Sequence, residues 1–161
     1  MKIKFFAVGG TIDKVYFDAL SKYEIGESNI NDILKDARVN FEYDVSSILK
    51  KDSLDMTDQD RFIIHKAVQD EPNDKIIITH GTDTMVETAK VLDTVKSKVI
   101  VLTGAMEPAK FKSSDAIFNL GSAVAAVQIL PHGVYLVISG RVFTPDNVRK
   151  NRSLKQFEEK M

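Results

Sequence analysis

At two widely separated points of this chain a threonine follows glycine where an apolar run ends. Gly9-Gly10-Thr11 closes the run from Ile3 to Val8, and Thr79-His80-Gly81-Thr82-Asp83 closes Ile76-Ile77-Ile78. A threonine hydroxyl is a weak nucleophile at neutral pH and needs a base or a proton relay. Three kinds of group qualify here: Asp83 beside Thr82, a tyrosine (Tyr16 or Tyr23) from the stretch 13–29, and a lysine. Lysine serves as a base when partial burial disfavours its ammonium form. Backbone N–H groups at the turns can meet a developing oxyanion. Together these residue types imply a hydroxyl nucleophile acting on a polar acyl substrate. Metal-ligand spacing and a phosphate-cradling glycine pattern are both missing, so no cofactor is expected.

The elements that must position these groups are legible as alternating strands and helices. Ile76 to Ile78 is a β-branched run suited to a strand buried on both faces of a parallel sheet. After Gly81, the spacing of Met85, Val86, Ala89 and Leu92 predicts a helix, which puts Thr82 and Asp83 on a strand-to-helix turn. An N-cap role for Thr82 accounts for that residue without any chemistry. Ile3 to Val8, Val99 to Thr103 and Gly133 to Ser139 read as further buried strands, with Arg141-Val142-Phe143 extending or pairing with the last. Val39, Phe41, Tyr43 and Val45 alternate with polar residues as in a half-exposed strand, and Lys50 to Met56 reads as a loop. Residues 13–29 read as a hairpin or a lid.

Helices are expected after Ser28 or Asn29, after Thr57 and from Ser114-Asp115 onwards. The second of these opens on an approximate capping box, with Phe62, Ile63, Ala67 and Val68 as its buried face and His65 partly exposed. The order implies βαβ units: an α/β domain with a mostly parallel sheet and helices on both faces. Three strands then deliver Gly9-Gly10-Thr11, the Thr79–Asp83 turn and Thr103-Gly104 to one edge, the usual ligand edge of open α/β sheets.

Composition narrows the partners. The 161 residues are 43% hydrophobic with net charge −1, enough apolar material for one core and no reason to expect nucleic acid or an anionic membrane. There is no cysteine, so thiolate chemistry is excluded. The apolar run at Phe5 to Val8 is too short for a signal peptide, and a cytoplasmic domain is expected.

The motifs Gly9-Gly10-Thr11-Ile12, Asp52-Ser53-Leu54-Asp55-Met56, Thr79-His80-Gly81-Thr82-Asp83-Thr84-Met85, Thr103-Gly104-Ala105-Met106 and Asn147-Val148-Arg149-Lys150 follow one another along nearly the whole chain. In this order they resemble the N-terminal domain of the bacterial-type L-asparaginase/glutaminase family, whose fold is Rossmann- or flavodoxin-like. The resemblance implies hydrolysis of an asparagine side-chain amide to aspartate and ammonia without a cofactor. It makes Thr11 the nucleophile and Tyr23, rather than Tyr16, its proton partner. It groups Thr82, Asp83 and Lys150 as a second catalytic cluster, in which Lys150 holds or accepts a proton from Thr82 and Asp83 also anchors the substrate ammonium. Ser53 receives the substrate carboxylate, with Gly10, Gly81, Ala105 and Met106 completing the binding positions and His80 shaping the pocket. Leu54 stands where the family carries a polar residue.

On this reading residues 1–161 form one domain and the family's C-terminal domain is absent. In the family that domain, from a neighbouring subunit, supplies an acidic residue and an asparagine to the site. Self-association of this chain into a homo-oligomer is therefore expected, with an amino-acid amide as the small-molecule partner. Two other readings are a binding module that keeps the pocket without turnover and an ammonia-producing subunit of a larger enzyme.

Overall fold

A computed structural model of the chain describes residues 1–17 and 22–161. Five strands, β1 (Lys2–Gly9), β4 (Glu42–Lys51), β5 (Lys75–Thr79), β6 (Val99–Thr103) and β7 (Gly133–Ile138), form a parallel sheet in the order β4-β1-β5-β6-β7. A sixth, β8 (Arg141–Phe143), closes one edge antiparallel to β7. The pleat divides the central strand between two cores. Ile76 and Ile78 face α2 (Asp58–Asp70) and α3 (Met85–Leu92), in one cluster with Ile64, Val68, Met85 and Leu92. Ile77 faces the other way, into a cluster with Ile30 and Leu34 of α1 (Ile30–Asp36) and Leu120 and Val127 of α4 (Ala116–Ile129). All three isoleucines are fully buried, each contributing about 1.5–3 kcal/mol of transfer free energy.

The expected hairpin forms as β2 (Lys14–Phe17) paired antiparallel with β3 (Lys22–Ile25), bringing Tyr16 opposite Tyr23. Residues 18–21 of that stretch lie outside the described residues.

Two sequence expectations need correction. The half-exposed strand starts at Glu42 and runs on to Lys51, through part of the segment read as a loop. It does so because it follows its neighbour β1, with pairing from Lys2–Glu42 to Gly9–Lys51. In α2 the inward face is Asp60, Arg61, Ile64 and Val68, whereas Phe62 and Ile63 are 57% and 40% exposed. The capping box between Thr57 and Asp60 and the Asp60–Lys51 ion pair at 2.8 Å turn Asp60 toward the sheet and set this phase. The C-terminal stretch forms a small unit of its own. It carries β9 (Arg149–Asn151) and β10 (Gln156–Glu158) as a separate antiparallel hairpin. Phe157 and Val148 anchor it in the α2–α3 core. No helix among the described residues is long and apolar enough to cross a membrane.

Candidate active site

The carboxyl ends of β1, β5 and β6 converge because these strands are neighbours and parallel. What lets their loops close up is glycine. Gly10 has φ +89°, and a Cβ there would stand 2.4 Å from the Gly81 nitrogen. A Cβ on Gly81 would in turn lie 2.6 Å from the Ser53 Cβ. Gly10, Gly81 and the 3₁₀ turn Ser53–Asp55 are thus stacked with no room for side chains between them. Thr11 and Thr82 each follow one of the touching glycines.

Thr82 does not cap α3; that position is held by Thr84. The Thr82 hydroxyl instead accepts from Lys150 Nζ at 2.7 Å and stands 3.8 Å from the Met106 sulfur. Lys150 Nζ also donates to Asp83 Oδ1 at 2.8 Å, with its own side chain only 13% exposed. This ammonium comes from β9, sixty-eight residues away from Thr82 in the chain. Arg152 Nε lies 3.6 Å from the same Asp83 oxygen.

Ser53, almost fully buried, accepts the N–H groups of Asp83 (3.1 Å) and Thr84 (3.3 Å) on its hydroxyl oxygen. Its own proton remains available for donation. Its backbone carbonyl takes the Thr84 hydroxyl at 2.7 Å, so three hydrogen bonds join the Ser53 turn to the Thr82 turn. Leu54, next to it, is 65% exposed. On the third loop Ala105 is buried, and both Met106 and Glu107 donate their N–H groups to the Asp115 carboxylate at 3.0–3.2 Å. Asn119 secures the base of this loop through the Gly104 carbonyl at 2.9 Å. The Ala109 N–H to Ile12 carbonyl bond, 2.9 Å, ties the loop to the Thr11 turn.

Tyr23 lies on the exposed hairpin, its ring 5.5 Å from that of Tyr16 and 5.8 Å from that of Phe111. Among the described residues no hydrogen bond joins it to Thr11. The hairpin is hinged beside the nucleophile candidate: Asp13 lies in the same 3₁₀ turn as Thr11, its carbonyl takes the Gly26 N–H and its carboxylate the Asn29 N–H. Burial pushes the Asp13 carboxyl up to about 6, against the pull of the Asn29 hydrogen bonds. His80 is fully buried behind the central turn, bonding the Gly81 carbonyl through Nδ1 (2.7 Å) and the Thr88 hydroxyl through Nε2 (2.8 Å). Burial, reinforced by the Arg61 charge, lowers it to about 4 and keeps the ring neutral at pH 7.

Residues 2–158 match the family described as Asparaginase, N-terminal. The chain belongs to the asparaginase family. As a member it is similar to a probable periplasmic L-asparaginase of Haemophilus influenzae, 35% identical over 159 residues covering 92% of this chain and 46% of that protein. Among solved structures it resembles the thermostable L-asparaginase from Thermococcus kodakarensis, with TM-score 0.85 and 28% identity over 99% of this chain and 51% of that one. A probable cytoplasmic L-asparaginase from Campylobacter jejuni gives TM-score 0.81 at 30% identity, covering 98% and 51%. This asparaginase-family chain spans about half the length of the curated relatives it matches.

Sequence reasoning therefore located the loops, and the structure brings Thr82, Asp83, Lys150, Ser53, Gly10, Gly81 and Met106 together at one rim. It missed Arg61, Thr88 and Asp115. Thr88 carried a readable signal, since it completes the i, i+3, i+4, i+7 inward stripe with Met85, Ala89 and Leu92. Asp115 was seen only as a helix start.

Proposed function

We propose that this chain is the catalytic domain of an amidohydrolase that cleaves the side-chain amide of L-asparagine, or a related ω-amide, to the acid and ammonia. The observation that carries this reading is the Lys150–Thr82–Asp83 cluster beside the Gly10–Gly81 contact that leads into Thr11. In this reading Thr11 Oγ1 attacks the amide carbon while Tyr23 takes up its proton and passes its own phenolic proton on toward the leaving nitrogen, the oxyanion being met by N–H groups of the turns. The tetrahedral adduct collapses, the C–N bond breaks, and the nitrogen leaves as ammonia after gaining a proton. Water then cleaves the Thr11 ester, returning the acid and the free hydroxyl. Lys150 holds or accepts a proton from Thr82, and Asp83 also anchors the substrate ammonium. Ser53 donates to its carboxylate, at a floor formed by Gly10, Gly81, Ala105 and Met106.

The test is ammonia release over a panel of L-asparagine, L-glutamine and D-asparagine. Activity on one of them, abolished by Thr11→Ala and by Thr82→Ala, supports the reading. Calorimetric binding of L-aspartate with no ammonia above a Thr11→Ala blank would assign a binding module instead.

Two further parts of the proposal concern context. The family resemblance supports self-association of copies of this chain; sedimentation of an active strict monomer would contradict that. We place the protein in the cytoplasm, as the Campylobacter jejuni relative is described, although the Haemophilus influenzae relative is described as periplasmic. Cell fractionation decides between them.

A further inference from the structure

We propose that Arg61 and Thr88 are positioning residues of this site, which hold the His80 ring in place through a one-way chain of hydrogen bonds and thereby orient the Gly81–Thr82 peptide. The direction of the chain follows from what each atom can do. The Gly81 carbonyl, 2.7 Å from His80 Nδ1, can only accept, so Nδ1 carries the hydrogen. A neutral ring then has a bare Nε2, and the Thr88 hydroxyl 2.8 Å away must donate to it. That spends the one Thr88 proton. Its oxygen is left as an acceptor, which is what Arg61 Nε, a pure donor at 3.2 Å, requires.

The opposite assignment fails. An imidazolium donating from Nε2 would place two cationic donors on one hydroxyl oxygen, with Thr88 and His80 fully buried and Arg61 nearly so. Arg61 thus both orients the threonine and opposes a second charge. Its own place is secured by its bond to the Met56 carbonyl at 3.4 Å.

The consequence reaches the rim through peptide planarity. A peptide's C=O and N–H point in opposite directions. With the Gly81 carbonyl drawn inward by His80, the Thr82 N–H is directed to the other side of the strand end. The His80 backbone is itself anchored, since its amide N–H bonds the Thr103 carbonyl at 2.9 Å. Helices α2 and α3 therefore reach the turn through three side chains, although Arg61 and Thr88 do not line the rim. The catalytic part of this inference rests on the function proposed above; the tautomer does not.

The experiment is a long-range ¹H–¹⁵N correlation of histidine rings in the full chain, with His80 assigned by its loss in His80→Asn. The wild type should show a protonated Nδ1 and a bare Nε2, with no titration down to pH 5. In Thr88→Val the bare Nε2 loses its donor, so its ¹⁵N resonance should move to the position of an unbonded nitrogen while the proton stays on Nδ1, and in Thr88→Ser it should stay as in the wild type. Ammonia release should follow: kcat lower by about 10- to 100-fold in Thr88→Val with KM little changed, and restored by Thr88→Ser. Arg61→Lys, which keeps the charge but lacks the Nε–H at that position, should show the same ring change in milder form.

A wild-type spectrum with the proton on Nε2 overturns the inference without any variant being folded. So does a folded Thr88→Val whose ring and kcat match the wild type. If the ring responds as described while the wild type releases ammonia from no amide, the hydrogen-bond chain stands and the amidohydrolase reading falls.

Discussion

Gly10 lies backbone to backbone against Gly81, close enough that a methyl group on Gly10 would reach 2.4 Å from the Gly81 nitrogen. Because Thr11 and Thr82 are the next residues along, this contact sets how closely the two hydroxyl-bearing loops approach. Gly10→Ala meets both the clash and a backbone at φ +89°, which disfavours any Cβ. A loss of about 2 kcal/mol or more is expected, together with loss of ammonia release. Urea unfolding and the amide assay check both; a variant as stable and active as wild type would show that the loops need not touch.

Removing the Lys150 ammonium tests the second cluster. Lys150→Met keeps the stem and deletes the group that bonds Thr82 and Asp83, and should lower kcat by at least about 10²-fold with little change in melting temperature. Lys150→Arg should not rescue it, because a guanidinium does not give up its proton. Near-normal turnover in either variant would remove Lys150 from the mechanism.

The tyrosines of the hairpin are distinguishable despite their stacked rings. Tyr23→Phe should reduce kcat by about 10²-fold, while Tyr16→Phe should leave it within a few-fold of wild type. The reverse ranking would move the proton-partner role to Tyr16.

Two buried groups give stability opposite pH slopes. Asp13 is raised from 3.8 to about 6, so between these values the folded chain binds more protons than the unfolded one and stability falls as pH rises. His80 is lowered from 6.5 to about 4, so the unfolded chain binds more and stability rises with pH over that window. Each effect amounts to about 3 kcal/mol, and they nearly cancel. Asp13→Asn should therefore uncover a gain of about 3 kcal/mol between pH 4 and 6.5. Chemical denaturation at several pH values measures it, and a variant profile parallel to wild type would refute the assignment.

Much of this architecture was readable because the parallel strands are continuous apolar runs. Ile76 to Ile78 and Val99 to Thr103 announce burial on both faces, and the glycines that end them announce the rim. The face of α2 was misread for a physical reason: Arg61 is buried by its partners Thr88 and Met56, which hydrophobic periodicity does not register. The short β9–β10 hairpin was also invisible, being polar and basic apart from Phe157. Lys150 could not be told from other lysines by chemistry, and only the Asn147–Lys150 motif marked it. The Thr11 and Thr82 loops were legible; the side chains that brace them from behind were not.

The only ammonium bonded to Thr82 among the described residues rides on a hairpin that is not hydrogen-bonded into the central sheet. Small units of this kind open at lower free energy than the body they lean on. Its detachment would take Lys150 away from Thr82 while the six-stranded layer stayed intact, so on the function proposed above amide exchange at Arg149 to Asn151 would report the fraction of molecules ready to act.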